Sequence, residues 1–361
     1  MATSNIKKRQ TMRLNNIHII LKHYIQKMLL CNKHYNWHVF SRHLSNIWQK
    51  EVERHYSKQV SQCNRTNGSS GRKTVIAMYN GWIESGGWAD RLKGIISTYI
   101  LCKENGWNFK ILYVHPFHLE QYIGMGTYDW HIAEEDVVYV SPYAEPIALE
   151  TGSDSAFHAR KQKEWLKKKI EQSSAEQVHV YTNAMFAYYE DYGKAFHELF
   201  RLSDKMEKKM QELTQTLGNG YVSISARFLN ALGDFNDTVQ VEPLPAKERK
   251  MLIDNCIKQI RLIHNEHPDR TILVNSDSSA FLEATKALPY TRRISGNIVH
   301  FDTAERHDYE TFEKTFIDFF LISRAASIYR LKTKWMHNTG FPYAASLINK
   351  TPFHSIVFNL E

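Results

Sequence analysis

The stretch TVIAMYNGWIESGGWADRLKGIIS, residues 74–97, predicts the fold of this chain. Its first part, Thr74–Met78, is a short apolar run that is typical of a buried strand. A turn with three glycines follows, and a helical pattern then begins at Asp90 and continues to about Glu104. A strand, a glycine-rich turn and a helix in this order begin a βαβ unit, in which the next strand lies parallel to the first.

Strands and helices alternate along the rest of the chain in the same way. We expect further strands at residues 109–115, 137–140, 178–182, 221–225, 271–275, 297–301 and 327–331. We expect further helices at residues 158–172, 193–217, 246–264, 279–288, 309–323 and 342–348. This alternation builds parallel sheets, and it predicts an α/β protein with two Rossmann-like domains that face each other across a cleft.

A polar segment at residues 62–72 (QCNRTNGSSGR) marks the clearest boundary in the chain. We therefore predict an N-terminal extension and linker over residues 1–72 and a first Rossmann-like domain over residues 73–210. The second Rossmann-like domain is predicted over residues 211–361, because the two sets of strands and helices meet near residues 205–220.

The extension carries most of the net positive charge. Residues 1–72 contain 13 Lys and Arg against two acids, whereas the remainder contains 33 basic and 36 acidic residues. Such a segment is typical of a solvated extension or of a contact with an anionic partner such as a membrane surface. Apolar residues between Ile17 and Leu30 recur at helical spacing, which predicts a mostly helical extension that packs on the body or lies at a membrane surface. We expect no nucleic-acid partner, because the extension resembles no reader module and the body is slightly acidic.

The composition excludes several classes of protein. With 361 residues, 43% hydrophobic and 23% charged, the chain is neither collagenous nor of low complexity. Its four cysteines lie far apart and form no CxxC, which excludes a zinc ribbon or a dense disulfide framework and favours a reducing compartment. No apolar run has the roughly 18–20 residues of a membrane span, and no signal peptide pattern is present. We expect a cytoplasmic protein, either wholly soluble or peripheral to a membrane.

The turn after the first strand is the first candidate site. Gly86 and Gly87 allow close approach of backbone N–H groups to an anion or a sugar oxygen, although a plain strand-to-helix connection has the same residues. Neither GxGxxG nor GxxxxGK[ST] is present, so a nicotinamide fingerprint and a P-loop are absent. Asp90 is placed to cap the helix, and Glu84 and Arg91 are further polar candidates in this turn.

The turn after strand 221–225 contains Arg227. An arginine at a strand end can hold a diphosphate through two parallel hydrogen bonds, as lysine cannot, or it can form an ordinary surface ion pair. Asp234 and Asp237 follow in the same loop, and either carboxylate could act as a general base or cap the loop.

Two further turns complete the set. Ser276 and Asp277 follow strand 271–275, where an acidic turn suits hydrogen bonds to a ribose or a guanine, and equally suits a helix cap. Residues 338–341 open the last helix with small polar groups, which is typical of a phosphate site. Because no D-x-D occurs in the chain, a nucleoside diphosphate would have to be neutralised by Arg227 and by helix N-termini rather than by a metal.

Several of these segments resemble the GDP-fucose-dependent fucosyltransferase superfamily, in particular its α1,2/xyloglucan and protein O-fucosyltransferase branches. SGGWADRLKGIIS resembles the first-domain G-x-G-[ND]-R-L loop, and ISARFLNALGDF resembles the H-x-R region with Ser225 in place of the histidine. ILVNSDSSAFLEATK is similar to the S-D-x-x-x-[FL] segment, and HNTGFPYAASLI is similar to S-x-F-S-x-x-A with Pro342 in place of a serine. Together with VYTNAMFAYYEDYGKAFHELFRLSD, these segments span residues 74–350.

The resemblance implies a GT-B fold, with the acceptor on the N-terminal domain and the donor mainly in the C-terminal domain. It also implies an inverting, metal-independent transfer of L-fucose from GDP-fucose to a glycan hydroxyl, without a cofactor. Arg227 would stabilise the leaving GDP, Asp234 is the first choice as base, and Asp237 and Glu84 are the alternatives. On the donor side the resemblance implies Gly86, Gly87, Asp90, Arg91, Ser225, Ser276, Asp277, Asn338, Thr339, Gly340 and Phe341.

Two other functions fit the residues. A GT-B transferase that uses another nucleotide sugar is the main alternative, because only the resemblance selects fucose. A non-catalytic protein that binds a glycan or nucleic acid through the basic extension is the second.

Overall fold

The computed structural model describes residues 37–59, 73–150, 156–187, 189–235, 241–296, 298–302 and 304–359. The described strands are β1 (Thr74–Tyr79), β2 (Asn108–Tyr113), β3 (Ile123–Met125), β4 (Ala144–Leu149), β5 (Gln177–Thr182), β6 (Phe200–Leu202), β7 (Val222–Ala226), β8 (Ile272–Ser276), β9 (Thr291–Arg292), β10 (Ser327–Lys332) and β11 (Phe353–Val357). The described helices are α1 (Trp37–Tyr56), α2 (Trp88–Asn105), α3 (Ala156–Gln172), α4 (Tyr192–Leu199), α5 (Asp204–Leu217), α6 (Ala246–Glu266), α7 (Ser279–Ala284), α8 (Tyr309–Ser323) and α9 (Phe341–Asn349).

The N-terminal sheet is parallel, with the strand order β2-β1-β5-β4. In β1, Val75 and Ala77 belong to the hydrophobic cluster that also contains apolar residues of α2. Ile76 and Met78 point to the opposite face and pack in a second cluster with residues of α1. The strand is therefore buried on both faces, which explains why its sequence is continuously apolar instead of alternating.

Helix α1 covers the edge strand of this sheet. An edge strand leaves backbone groups unpaired, and the Gln49 side chain meets two of them in β4. Its amide nitrogen donates to the Pro146 carbonyl at 2.9 Å, and its oxygen accepts from the Ala148 N–H at 2.8 Å. Ser45 Oγ accepts from the Glu150 N–H at 3.0 Å. The described part of the N-terminal extension is thus helical, as predicted, and it is bonded to the body.

The C-terminal sheet is also parallel, with the strand order β11-β10-β7-β8-β9. Ser225 of β7 lies opposite Arg330 of β10 on one side and Asn275 of β8 on the other. Three polar residues therefore form a row near the carboxyl ends of the central strands. Ligands of open α/β sheets bind beyond these ends.

A shared hydrophobic core joins the two halves. Trp88 of α2 packs against Phe316 and Phe319 of α8, with ring centroids 5.0 and 6.1 Å apart. Helix α9 crosses α4 so closely that a Cβ on Gly193 would lie 2.5 Å from the Ile348 carbonyl oxygen, so only glycine fits there.

The predicted strand at residues 137–140 is wrong. A short 3₁₀ turn at Glu134–Asp136 and irregular backbone occupy this region, and the strand is β4. Proline is disfavoured inside sheets because it cannot donate to the ladder, but it is tolerated in an edge strand such as β4, which contains Pro146.

The single helix predicted over residues 193–217 is also wrong, because β6 interrupts it. Strand β6 pairs antiparallel with β3, and Ser203 then caps α5 by accepting from the Met206 N–H at 3.3 Å. A long-range strand pairing therefore overrides a locally helical pattern.

Two differences concern the C-terminal sheet. Residue 297 lies outside the described residues and Ile298–Phe301 are not extended into a strand, so β9 is the edge strand instead of the predicted segment 297–301. The opposite edge strand, β11, follows the last predicted helix and was not predicted.

Two predicted segments lie outside the described residues. They are the helix within residues 17–30 and the linker at residues 62–72. The predicted boundary at residues 210 and 211 falls inside α5 and stays a prediction. Within the described ranges, no helix combines the length and the hydrophobicity needed to cross a bilayer.

Candidate functional site

A cleft of about 690 Å³ opens beyond the carboxyl ends of β7, β8 and β10. The N-terminal end of α2 forms the opposite wall, so residues from both halves of the chain line this cleft. The predicted site residues that line it are Gly87, Asp90, Ser225, Arg227, Ser276, Asp277, Asn338, Thr339, Gly340 and Phe341. The parallel topology thus brings together turns that lie far apart in the sequence.

Arg227 lies where the chain leaves β7, and its side chain is 22% exposed. Its Nε atom lies 3.2 Å from Oδ2 of Asp277. Its guanidinium carbon lies 4.8 Å from the centroid of the Phe235 ring. These two contacts orient the planar guanidinium at the cleft wall, where a planar fork of donors can bind a phosphate through two hydrogen bonds.

Asp277 holds the turn that carries Arg227. Its carboxylate accepts from the N–H groups of Phe228 at 2.8 Å and Leu229 at 2.7 Å. Leu229 has a φ of 53°, a conformation that is unfavourable for a residue with a side chain, and the bond from Asp277 helps to stabilise it. Burial raises the pKa of Asp277, and the charge of Arg227 and the two N–H donors offset this in part. We infer that Asp277 positions Arg227.

Four buried side-chain atoms of residues that line the cleft have no hydrogen-bond partner in the described part of the chain. They are Trp88 Nε1, Ser225 Oγ, Asn275 Oδ1 and Asp318 Oδ1, and each of these residues is less than 8% exposed. The amide nitrogen of Asn275 donates to Ser223 Oγ at 3.0 Å, and its oxygen has no partner in the described part of the chain. Buried polar atoms in native proteins are nearly always satisfied, so this cluster indicates a polar ligand.

Asp318 of α8 also lines the cleft. Its Oδ2 atom is paired with the ammonium of Lys314, one helical turn away, and both side chains are buried. Burial raises the pKa of Asp318, and Lys314 offsets this in part. The pair leaves Oδ1 as an acceptor for a ligand donor.

The turn after β10 is bonded to the turn after β7. The His337 N–H donates to the Arg227 carbonyl at 2.9 Å. Arg330 donates from Nη1 to the Thr339 carbonyl at 2.9 Å and from Nη2 to Ser355 Oγ at 3.0 Å. These bonds fix the approach to α9.

The predicted phosphate cradle at residues 339–341 is partly used by the turn itself. The Thr339 N–H donates to the His337 carbonyl, and the Phe341 N–H donates to Thr339 Oγ1 at 3.2 Å. Of the N–H groups of residues 339–341, that of Gly340 is the one to which the described structure assigns no acceptor. It lies at the N-terminus of α9, where the helix dipole favours an anion.

Arg91 lies beneath the cleft wall and is 2% exposed. It donates to Asp302 at 2.7 Å, to the Gly86 carbonyl at 2.9 Å, to the His115 carbonyl at 2.6 Å and to the Tyr113 hydroxyl at 3.2 Å. Asp302 also accepts from the Gly86 N–H at 2.7 Å. The neighbouring residues 298–301 line the cleft. The ion pair of Arg91 and Asp302 therefore joins the turn after β1 to the loop that forms part of the cleft wall.

The turn after β1 places its remaining residues differently from the prediction. Helix α2 begins after Gly87, so Asp90 lies in the first turn and is not the N-cap. Asp90 forms an ion pair with Lys93 at 2.8 Å and its side chain is 46% exposed at the cleft. Gly86 has a φ of 77°, and a Cβ there would lie 2.8 Å from Oδ2 of Asp90, which explains the glycine.

Two of the three predicted base residues, Asp234 and Glu84, lie away from the cleft lining. Oδ2 of Asp234 accepts from Ser278 Oγ at 2.8 Å, Ser279 Oγ at 3.1 Å and the Ala280 N–H at 2.8 Å, so this carboxylate caps α7. Glu84 is half-buried in the turn after β1 and does not line the cleft. Asp237 lies outside the described residues.

Sequence reasoning missed Asp318, Arg330 and Asp302. A signal existed for Asp318, because a single acid within the apolar run FIDFFLI is unusual at a position that helical periodicity assigns to the core. Arg330 gives a similar signal, because a charged residue stands between Tyr329 and Leu331 inside strand β10. The sequence around Asp302 carries no such signal, because its partner Arg91 is 211 residues away.

Among the described residues, no group of three or more His, Cys, Asp or Glu side chains has an arrangement that could hold a metal ion.

Comparisons with known proteins give the fold. No family model matches the chain, and no curated protein matches it. The NodZ alpha-1,6-fucosyltransferase soaked with GDP-fucose has a TM-score of 0.51 and 11% identity, over 77% of this chain and 92% of that one. The NodZ fucosyltransferase from Bradyrhizobium gives 0.52 and 12%, over 80% and 95%. A point mutant of Arabidopsis thaliana FUT1 in complex with GDP gives 0.50 and 10%, over 88% and 78%. The predicted GT-B fold, with two Rossmann-like domains, is confirmed, and so is the resemblance to fucosyltransferases at the level of fold.

Proposed function

We propose that this chain is a fucosyltransferase that moves L-fucose from GDP-fucose to a hydroxyl of a glycan. The observation that carries the proposal is a set of three buried oxygens without a partner, on Ser225, Asn275 and Asp318, which line one cleft together with Arg227. The fold adds support, because structures with this fold include fucosyltransferases prepared with GDP-fucose or GDP.

The polar atoms of the cleft favour a guanine nucleotide. Asn275 Oδ1 and Asp318 Oδ1 are both acceptors, and Asp318 is a carboxylate. The pairing edge of guanine carries adjacent N–H donors on N1 and N2, whereas uracil has one N–H donor there and cytosine has only its amino group. With uracil or cytosine, one of these two acceptors would stay without a donor, and a buried acceptor without a donor is costly.

Arg227 and the Gly340 N–H supply positive charge for the diphosphate. As the bond between fucose C1 and the phosphate oxygen breaks, negative charge grows on the leaving GDP. Donors that are fixed beforehand stabilise this transition state more than the ground state. The absence of D-x-D from the sequence supports a transfer that needs no metal.

Inversion requires one displacement, in which the acceptor oxygen bonds to C1 as GDP leaves with the electron pair. The acceptor proton goes to a carboxylate if a base is used. We propose Asp90 for this role instead of Asp234, because Asp90 lines the cleft on the wall opposite Arg227 and Asp234 is bonded to the N-terminus of α7. Asp237 and Glu84 are the remaining candidates.

Replacement of Asp90 or Asp234 by asparagine, one at a time, tests which carboxylate accepts the proton. We expect Asp90→Asn to lower kcat by about 10²–10⁴ with little change in the affinity for GDP. Asp234→Asn serves as the matched control, and we expect it to change the melting temperature more than kcat. A large loss of kcat in Asp234→Asn and not in Asp90→Asn would assign the base to Asp234, in the loop after β7.

The donor is tested by thermal shift and turnover. We expect GDP and GDP-fucose to raise the melting temperature more than UDP, CDP or their sugars, because ligands that bind the folded state stabilise it. Transfer to a glycan panel should persist in excess chelator. A preference for UDP would favour a GT-B transferase with another nucleotide sugar, and loss of activity in chelator, restored by manganese, would contradict the role of Arg227.

We also propose that residues 1–72 make peripheral contact with an anionic membrane. The support is their excess of basic residues, 13 Lys and Arg against two acids. Such binding should weaken with salt, because charge attraction is screened over about 8–10 Å near physiological ionic strength.

A further inference from the structure

Helix α3 exposes two aromatic residues on a lysine-rich face. Leu166 and Ile170 are fully buried and attach the helix to the N-terminal half. On the opposite face Phe157 is 52% exposed and Trp165 is 41% exposed. Aromatic rings of this size are usually covered in a soluble domain, so the pair needs an explanation.

The exposed rings alternate with lysines along one face. Spacings of three and four residues place Phe157, Lys161, Trp165 and Lys168 in a row, with Lys169 beside Trp165. We call these five residues the α3 stripe. Lys161 Nζ lies 4.3 Å from the centroid of the Phe157 ring, and Lys169 Nζ lies 5.9 Å from that of Trp165.

The two acids of α3 border the stripe and are paired with basic residues outside it. Glu164 pairs with Arg160 at 3.9 Å, and Glu171 pairs with Lys167 at 3.7 Å. The α3 stripe itself therefore contains three lysines, two aromatic rings and no acid.

We propose that the α3 stripe is a docking surface for an anionic lipid bilayer. Phe and Trp rings place their apolar bodies among acyl chains near the headgroups, and lysines beside them attract anionic phosphates. A convex helix can reach a flat surface with all five side chains at once. The proposal is independent of the proposed transferase activity.

A nucleic acid fits this surface less well than a bilayer. Single-strand binding proteins combine stacking rings with a basic groove that follows the backbone. The rings here lie on a convex helix, and residues 73–361 contain 33 basic and 36 acidic residues.

The test is cosedimentation of the full chain with phosphatidylcholine vesicles that contain about one third phosphatidylserine. Each lysine near such a surface contributes about 1 kcal/mol, or about a factor of five in affinity. We expect Lys161→Ala/Lys168→Ala to weaken binding by about 25-fold at low salt. The matched control is Lys208→Ala/Lys209→Ala on α5, which removes the same charge from two other exposed lysines and should leave binding within about twofold.

Trp165→Ala tests the apolar part of the contact. We expect it to weaken binding several-fold at low and at high salt, because insertion of an apolar ring is not screened. Melting temperatures of all variants should match that of the wild type, since the changed side chains are exposed.

Three results would overturn the proposal. Equal losses in the α3 and α5 double variants would mean unspecific charge attraction, and no loss in either would assign any binding to the extension alone. Binding of the wild type to single-stranded RNA that competes with the vesicles and depends on Lys161 and Lys168 would assign the α3 stripe to nucleic acid.

Discussion

Arg91 and Arg227 follow the first strand of their respective sheets and have different surroundings. Arg91 lies in the first turn of α2, which follows β1, and Arg227 comes directly after β7; each is paired with an aspartate from a distant segment. Arg91 is 2% exposed and donates to four protein groups, whereas the side chain of Arg227 is 22% exposed at the cleft and pairs with Asp277 through Nε. Arg91 is enclosed by the protein groups that it binds and stabilises the fold, while Arg227 is partly exposed at the cleft, where its guanidinium can reach a ligand.

The first prediction concerns Arg91, where we expect the largest effect. Arg91→Ala leaves Asp302 buried without its partner, and loss of one member of a buried pair costs about 3–5 kcal/mol of stability. Urea unfolding measures this change. Asp302→Asn is the companion variant, and it should lower stability by less because the amide oxygen can still accept from Gly86. A fully stable Arg91→Ala protein would break the comparison.

The second prediction concerns Arg227, where we expect a kinetic effect. Arg227→Ala should lower kcat/KM with GDP-fucose by about 10²–10³, or about 3–4 kcal/mol, because a donor that strengthens in the transition state is lost. Arg227→Lys should recover part of the rate, since a point charge cannot reproduce the planar fork. The melting temperature should also fall, because the buried Asp277 loses its charged partner and keeps only the N–H donors of Phe228 and Leu229, so turnover is measured well below the unfolding transition. Near wild-type turnover of a folded Arg227→Ala protein would remove the assignment.

The sequence predicts the fold well because the alternation of strands and helices is local. It also predicts that the turns after β1, β7, β8 and β10 meet, because carboxyl ends of parallel strands lie at one edge of a sheet. The different surroundings of the two arginines could not be predicted, because they depend on Asp302 and Asp277, which are 211 and 50 residues away in the chain.

The same limit explains the other differences between prediction and structure. Asp234 follows Arg227 in the same loop, but three donors around the N-terminus of α7 hold its carboxylate. Asp318 lies in an apolar helix that sequence patterning assigns to the core, yet the residue lines the cleft and one of its oxygens has no partner among the described residues. Local patterns give the backbone, and side-chain roles follow from contacts between segments that the pattern does not relate.

The third prediction concerns the dependence of stability on pH. It tests the surroundings of Arg91 and not those of Arg227. His115 lies beside Arg91 and next to the ring of His307, with ring centroids 5.3 Å apart. Burial lowers the pKa of His115, as do the charges of Arg91 and His307, while Asp302 acts in the opposite direction. The folded protein therefore binds this proton more weakly than the unfolded chain, whose histidine titrates near 6.5.

It follows that stability should fall as the pH decreases from about 6.5, because only the unfolded state then gains the proton. The effect should be under about 1 kcal/mol, since His115 is only partly buried. In His115→Asn, which keeps the backbone carbonyl that Arg91 binds, unfolding free energies at about pH 7.5 and pH 5.5 should differ less than in the wild type. The exposed His118 provides the matched control, and His118→Asn should retain the wild-type difference. If both variants retain the wild-type difference in unfolding free energy, protonation of His115 does not cause it. The surroundings of Arg91 would then be more open to solvent than the geometry indicates.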